Sequence, residues 1–420
     1  MRASSVMSGM FAATFGLVVL SGCATGSTAQ SQSSGSPSAR GGSGQAIKIG
    51  IDLPVSGADA STGIPTQNGA VLAIEQANAR GLPGGFTLSA LTLDDAVQGV
   101  HDPAQGAQNV KTFISDPSVV AMIGPFNSNV AKAEIPLTND AGLAQVSPAN
   151  TSTGLTKGDD AAKLRTSHPD VNAYFRVSAT DDRKGAAGAR FARALGFRSA
   201  FVIDDDETYG KGLADVFEAS FKKLGGTVLG HEHITANQQD FKALLTKARS
   251  VRPDMVFYGG TTASGGGLLR RQMGDAGMAA TPFVGGDGIA DAEFLHSAGT
   301  LANGSYFTVA APEASKLPAA RAFLREYEAR WKAPVGPYSA NAYAVARLEI
   351  AAIEKAIVDG GGKPPTRAAV LRNVAATAHF ASPIGTIGFD RNGDTTDPIL
   401  TVYGVKGGRF VFVNQIDLRS

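Results

Sequence analysis

VVAMIGPFNSNVA, residues 119–131, decides the fold. Its first five residues, Val119 to Ile123, are apolar with no polar alternation, so a strand here must be buried on both faces. Gly124-Pro125 closes the run, and helical spacing follows from about Asn129 to Ala141. A short strand then resumes at Leu143 to Val146. Strand, helix and strand in this order predict a parallel sheet covered by helices on both sides.

Upstream the rhythm is the same. Ile47 to Ile51 reads as a strand, and Ala70, Val71, Ile74 and Ala77 give helical spacing from about Gln67 to Arg80. Thr87 to Leu93 is a second strand, ending at Asp94-Asp95. Asp102 and Pro103 suit the cap and first turn of a helix that runs to about Ser115. Downstream the alternation restarts after Arg176-Val177. Helices are predicted at Gly185 to Leu195, Gly212 to Leu224, Asp240 to Arg249 and Gly267 to Ala276. Strands are predicted at Ala200 to Ile203, Thr227 to His233, Met255 to Tyr258 and Phe283-Val284. Two such runs argue for two similar α/β lobes.

The last third differs. Ala319 to Trp331, Ala340 to Val358 and Thr366 to Ala375 read as helices. Ile399 to Val405 and Arg409 to Val413 read as a hairpin turned at Lys406-Gly407-Gly408. A chain that returns to both lobes would build a hinge of several crossing segments.

The first 45 residues stand apart. Met10 to Leu20 is an apolar run of 11 residues after a basic start, the length of a signal-peptide core and too short to span a bilayer. Ala24 to Gln45 contains no Ile, Leu, Val, Phe, Tyr or Trp. It has nothing to bury and reads as a flexible tether of roughly 25 Å root-mean-square span. Between them sits Cys23, the only cysteine, in Leu20-Ser21-Gly22-Cys23. That sequence resembles the lipobox of bacterial lipoproteins. It implies a signal peptide over 1–22, lipid on Cys23, a tether over 23–45 and an exported, membrane-anchored protein. An exported domain without further cysteines rests on its core and not on disulfides.

Net charge is +1, so no basic face suggests nucleic acid. Familiar chemistries lack their parts. Gly260 to Gly267 has the glycines of a phosphate loop but no Lys before a Ser or Thr. Asp390, Asn392 and Asp394 start like a calcium loop, but Thr395 and Thr401 occupy positions that need Gly and an acid, so a polar turn is expected. His231 and His233 share one strand face with no further metal ligand evident, and read as a surface pair. Asp204 to Glu207 reads as a solvated strand end. Asn150-Thr151-Ser152 fits the glycosylation pattern, which the lipobox argues against. No nucleophile motif appears, so an enzyme is not expected, and no cofactor is implied.

In open parallel sheets, ligands lie outside the carboxyl ends of the strands. The segments there are rich in hydroxyls and helix starts in the first lobe: Ser56-Gly57 and Ser61-Thr62, Asn127-Ser128-Asn129, and Ala149 to Thr153. They suit an anion such as a carboxylate. The second lobe supplies Asp204 to Glu207, Tyr209, Thr261-Thr262 and Asp287, which suit an ammonium and the body of a small ligand.

IKIGIDLPVSG, EQANARGLPGG, LTLDDA, VVAMIGPFNSNVA, VSPANTSTGLT, DDDETYGKG, LLRRQMGDAGM, FVGGDG and GPYSANAYAVARLEIAAIEKA follow one another across residues 47–413. In this order they resemble the leucine/isoleucine/valine-binding protein family of ABC-transporter receptors. The resemblance implies a type I periplasmic binding fold, two Rossmann-like lobes joined by a three-segment hinge. The expected first lobe comprises 46–180 and 312–385, the second 181–311 and 386–420. By position, Ser128, Ala149 and Thr151 match the residues that hold the ligand's carboxylate and amino group. Asp287 matches the acid for the ammonium, Tyr209 a ring over the ligand, and Asp181 a position near the amino group.

Three departures bear on the ligand. Thr62 stands where leucine-binding members have a tyrosine, Asn127 replaces a small side chain, and Thr261-Thr262 replaces an aromatic pair. Burying a leucine side chain is worth about 1.5–3 kcal/mol, and a pocket that has lost two rings is poorly equipped to collect it. A polar amino acid, an amide or another small carboxylate is as fitting an expectation as leucine. Delivery to an ABC permease is the function implied, with a ligand sensor of the same fold as the alternative.

Overall fold

Val119–Ile123 is the middle strand of a five-stranded sheet, and all five of its residues are buried. The structure, a computed structural model, describes residues 46–235 and 238–419. Cys23, the signal segment 1–22 and the tether 23–45 lie outside them. The sheet order is Thr87–Asp94, Ala46–Leu53, Val119–Ile123, Ala144–Ser147 and Tyr174–Arg176, with every neighbouring pair parallel. Helices cover both faces, which is why the central strand tolerates no polar residue.

The second sheet has seven strands. Thr227–His233, Ser199–Asp204, Met255–Gly259, Phe283–Gly286 and Ser305–Val309 run parallel. Ile399–Lys406 and Arg409–Asp417 continue it antiparallel. Strand order reverses between Ala46–Leu53 and Val119–Ile123 in the first sheet, and between Ser199–Asp204 and Met255–Gly259 in the second. The crevices beyond the carboxyl ends at such reversals are where this class of sheet takes ligands.

The chain crosses between the sheets after Arg176, after Val309 and before Ile399, so the expected three-segment hinge is present. The C-terminal helices Arg321–Trp331, Ser339–Asp359 and Arg367–Ala375 pack on the first sheet, where Phe323, Tyr327, Val345, Ile353 and Val370 share one apolar core with Ile49, Ile51 and Ile123.

Two glycines mark close approaches. Gly69 lies where helix Ala60–Arg80 meets helix Ser339–Asp359, and a Cβ there would stand 2.1 Å from the Ser339 carbonyl oxygen. Gly124, at φ +125°, lets the chain turn out of the central strand, and a Cβ there would stand 2.2 Å from the Asp52 carbonyl oxygen.

Some boundaries differ from expectation. Helix Ala60–Arg80 starts a full two turns before Gln67, with Pro65 inside it. The early turns are held from outside, since Tyr327 and Ser339 hydroxyls donate to the Pro65 carbonyl at 3.1 and 2.8 Å. A hairpin, Phe380–Ser382 with Gly385–Ile387, has no counterpart in the sequence reading. It packs beside helix Ser339–Asp359, so the third crossing begins after Ile387.

Candidate functional site

Five segments meet at one buried point between the sheets. Helix Asp181–Ala194 opens with Asp181 and carries Lys184 one turn on. Helix Thr208–Lys223 places Tyr209 in its first turn. Asp287 follows strand Phe283–Gly286, Thr151 follows Ala144–Ser147, and Tyr338 precedes helix Ser339–Asp359. Phe126 fixes the Tyr338 ring by an edge-on contact, centroids 5.4 Å apart.

The Lys184 ammonium is the centre of this cluster and is fully buried. Its Nζ donates to Asp287 Oδ1 at 2.6 Å and to Thr151 Oγ1 at 3.1 Å, and lies 3.0 Å from Asp181 Oδ1. It also sits 4.6 Å from the centroid of the Tyr209 ring, a cation–π distance. Asp287 Oδ1 further accepts the Tyr209 hydroxyl at 2.6 Å. Asp287 Oδ2 accepts the Tyr338 hydroxyl and, at 3.3 Å, the Ala310 backbone N–H.

Burial alone would push the Asp287 carboxyl up. The Lys184 charge, with the hydrogen bonds from Lys184, Tyr209 and Tyr338, outweighs it and holds Asp287 below the usual carboxylate range. Asp181 goes the other way. Its burial dominates, Lys184 offsets only part of it, and the Asp287 charge adds to the rise. Burial and the Asp287 charge push both tyrosine hydroxyls well up, so they stay protonated donors.

The positions singled out from sequence are all buried, but they do not play equal parts. Asp181, Thr151, Tyr209 and Asp287 converge on Lys184. Ser128 opens helix Ser128–Ala141, and its Oγ accepts the Ser152 N–H at 3.3 Å, next to Thr151. Asn127 caps that helix without a capping bond, and its Oδ1 is buried with no hydrogen-bond partner. Ala149 packs with second-lobe apolar side chains, and its N–H donates to Ser147 Oγ at 3.2 Å. The Thr62 hydroxyl donates to the Asp59 carbonyl at 2.9 Å, and Thr261 Oγ1 pairs with Ser264 Oγ at 2.7 Å. These last two hydroxyls are spent within their own segments.

The acid run Asp204 to Glu207 is a solvated strand end only in part: Asp206 is exposed, but Asp204 and Asp205 are buried. Asp204 is fully buried and bonds His231 Nε2 and His233 Nδ1, each at 2.7 Å. His231 Nδ1 meets Glu218 at 2.6 Å. The histidine pair therefore does have an acid within reach: Asp204, His231 and His233 can bring one ligand atom each within 4.8 Å. Asp205 accepts the Glu207 N–H at 3.2 Å and the Thr261 N–H at 3.3 Å, and burial pushes its carboxyl up to about 7. In the calcium-like segment, Asp390 Oδ1 accepts the N–H groups of Asn392 and Asp394, which is the polar turn expected.

Glu207 reaches across to the first lobe. Its Oε2 bonds His101 Nε2 at 2.8 Å and Asn129 Nδ2 at 3.0 Å, while His101 Nδ1 meets Asp59 at 2.7 Å. Burial works against a charged His101 ring. The hydrogen bonds and charges of Asp59 and Glu207 outweigh it and carry the pKa well above the ordinary 6.5. A raised pKa means the bridge is fully in place below about 6.5 and is lost as pH rises through the folded value. His101→Gln is expected to loosen closure. One charge-assisted hydrogen bond is worth about 1.5–3 kcal/mol, so the open fraction should rise about tenfold or more. Small-angle scattering will show it as a larger radius of gyration, and the parent should drift the same way in alkali.

Sequence reasoning missed Lys184, Tyr338 and His101 as site residues. Lys184 carried one available signal, its place three residues after Asp181 on a helix facing the strand ends.

Two largely parallel sheets whose carboxyl ends converge on one buried polar cluster, joined by three crossing segments, define a two-lobed solute-binding protein. The chain belongs to the periplasmic binding protein family, whose profile matches residues 46–409, and within it to the Leu/Ile/Val-binding group. It is 30% identical over 366 residues to Leu/Ile/Val-binding protein homolog 3 of Brucella melitensis, covering 87% of this chain and 93% of that one. The branched-chain amino acid transporter substrate-binding protein LivJ of Streptococcus pneumoniae, solved with isoleucine, superposes with TM-score 0.77 at 25% identity, covering 89% and 100%. A solute-binding protein of R. palustris solved with benzoate shares the fold, with TM-score 0.73 at 21% identity, covering 88% and 96%.

Proposed function

We propose that this chain is the extracytoplasmic solute-binding lipoprotein of an ABC importer, holding a small carboxylate-bearing solute of amino-acid size between its lobes. The lobes comprise 46–180 with 312–387, and 181–311 with 388–420, and lipid on Cys23 holds the protein at the membrane surface. Among the described residues no helix is long and apolar enough to cross a membrane.

One observation carries the reading. Ser128 Oγ accepts the Ser152 N–H, and Thr151 Oγ1 accepts Lys184 Nζ. The Ser128 hydroxyl therefore keeps its own proton to donate, while the Thr151 hydroxyl is shared between Lys184 and the Asp181 carboxylate. They sit beside each other at a helix start, where backbone N–H groups also favour negative charge. A hydroxyl donor at a helix start suits a carboxylate.

Closure follows because the ligand would touch both lobes only in the closed form, and it shifts the balance by that preference. Thermal-shift and calorimetric titration with amino acids, amides and small organic acids will test this. Ser128→Ala and Thr151→Ala should each weaken the best ligand about tenfold to a hundredfold, the worth of a hydrogen bond to a charged group. Unchanged binding in both variants places the solute elsewhere. Cys23→Ser should move the protein from the membrane to the soluble fraction, and a protein that still sediments with membranes has no lipid anchor there.

A further inference from the structure

We propose that Asp204, His231 and His233 form a site for one divalent transition-metal ion of the zinc type, at the edge of the second sheet and apart from the solute crevice.

Strand Thr227–His233 is the edge strand of that sheet and runs parallel to Ser199–Asp204. The register sets His233 opposite Asp204 and His231 opposite Val202. Directly opposite residues share a face of a sheet, and so do residues two apart on one strand. All three side chains therefore stand on one face, on backbone that is stiffer than a loop. One ligand atom from each lies within 4.8 Å of the other two. His231 Nε2 and His233 Nδ1 approach different oxygens of Asp204, Oδ2 and Oδ1, each at 2.7 Å. Tetrahedral zinc with bonds of about 2.0–2.1 Å needs ligand atoms roughly 3.3–3.4 Å apart. Small side-chain rotations bring the three to that spacing. Asp204 Oδ1 also accepts the Asp206 N–H at 2.8 Å, which leaves Oδ2 as the oxygen freer to turn toward the ion.

The far side of His231 supplies what an ordinary surface pair lacks. Its Nδ1 lies 2.6 Å from Glu218 Oε2. Glu218 comes from helix Thr208–Lys223, and its other oxygen accepts the Lys222 ammonium. Glu218 is thus a partner of the ring and not a fourth ligand. A carboxylate on the far nitrogen fixes the tautomer that offers Nε2 to a metal and makes that nitrogen more basic. Asp204 is fully buried, whereas the His233 side chain is 48% exposed. The anion forms the floor of the site and the rim faces solvent, where water can complete the coordination. The protons that now join the two imidazoles to Asp204 pass to solvent as the ion takes their place. Two imidazoles with one carboxylate suit zinc, cobalt or nickel, and not calcium or magnesium, which take oxygen ligands.

The purified chain, carrying no affinity tag and stripped with EDTA, is titrated with zinc chloride by calorimetry. One equivalent should bind with saturation, and calcium or magnesium chloride should not displace it. Cobalt chloride in place of zinc should give the visible absorption of a site with nitrogen ligands, which zinc then bleaches. His231→Gln and His233→Gln should each remove the saturable binding. His233 is half-exposed, so its replacement disturbs no core. Glu218→Gln keeps every ligand and should weaken zinc about tenfold to a hundredfold, the usual worth of an outer partner. Zinc should also raise the thermal midpoint of the parent and leave that of His233→Gln unchanged, because an ion held only by the folded site stabilises the fold. A parent protein that takes up no zinc overturns the site and leaves the cluster a set of ion pairs. Zinc bound equally by the parent, His231→Gln and His233→Gln lies elsewhere on the chain and overturns it as well.

Discussion

Asp287→Ala should be among the most damaging single substitutions in the second lobe. It strips the acceptor from Lys184, Tyr209, Tyr338 and the Ala310 N–H at once. The Lys184 ammonium then keeps only Asp181 as a charge partner, in a site closed to water. Removing one member of a buried ion pair costs about 3–5 kcal/mol, most of it from the charge left behind. Urea unfolding should show a loss of this size, with the slope unchanged, because the surface exposed on unfolding is the same. The double variant Lys184→Met/Asp287→Ala should lose less than Asp287→Ala alone, since it leaves no orphaned cation. The sign of the pH dependence is fixed as well. The Asp287 carboxyl is held below its ordinary 3.8, so its contribution is present above that value and vanishes as pH falls below it. Parent and variant should converge in acid. A variant as stable as the parent at neutral pH would mean that Lys184 does not depend on this carboxylate.

Arg176→Met should match it from the first lobe. Arg176 is fully buried at the end of the first sheet. Its Nε donates to Asp394 Oδ1 at 2.7 Å, and its other nitrogens to the Ser152 carbonyl at 2.6 Å and Thr156 Oγ1 at 2.5 Å. The backbone reinforces the link, because the Arg176 N–H donates to the Gly393 carbonyl at 3.0 Å. One side chain thus joins the sheet, the loop after Thr151 and the third crossing segment. Loss of the guanidinium leaves Asp394 buried with only Lys157 Nζ, at 3.4 Å, and the more distant Arg165 charge. The cost should again be about 3–5 kcal/mol. Arg176→Lys should recover little, because a point charge cannot serve three directions as a planar fork does. Differential scanning calorimetry will rank the parent, Arg176→Lys and Arg176→Met in that order of midpoint.

Much of the fold was legible because the core strands carry unbroken apolar runs. Val119–Ile123 and Met255–Gly259 are buried on both faces, and the turns after them carry Gly-Pro or Gly-Gly. Elements held by distant contacts were not legible. The first turns of helix Ala60–Arg80 contain Ser61, Thr62, Gly63 and Pro65, which read as a loop until Tyr327 and Ser339 arrive from residues far along the chain. The hairpin Phe380–Ile387 is short and only partly buried, so it lacks an apolar pattern. Strand Ser305–Val309 lay unremarked between a glycine-rich turn and the second crossing.

The candidate site divides in the same way. Loops at strand ends announce themselves by position, and Asp181, Thr151, Tyr209 and Asp287 do come together. What those groups do to one another depends on contacts spanning 103 residues between Lys184 and Asp287, and 51 between Asp287 and Tyr338. Spacing does not encode that, so a lysine on a helix passed as ordinary. The acid run misled for the opposite reason. Asp204 to Glu207 looks solvated in sequence, but His231, His233 and His101 fold over it.

Lys184, Asp181, Tyr209 and Asp287 all belong to the second lobe, so the charge cluster travels as one body when the lobes part. Opening breaks only its bonds to Thr151 and Tyr338. The crevice wall therefore carries its counterion with it and casts little long-range field into solution. Encounter with a solute should then be governed by diffusion and by the rate of closure, and should change little with ionic strength. A receptor built this way should work equally well in dilute and in salty surroundings.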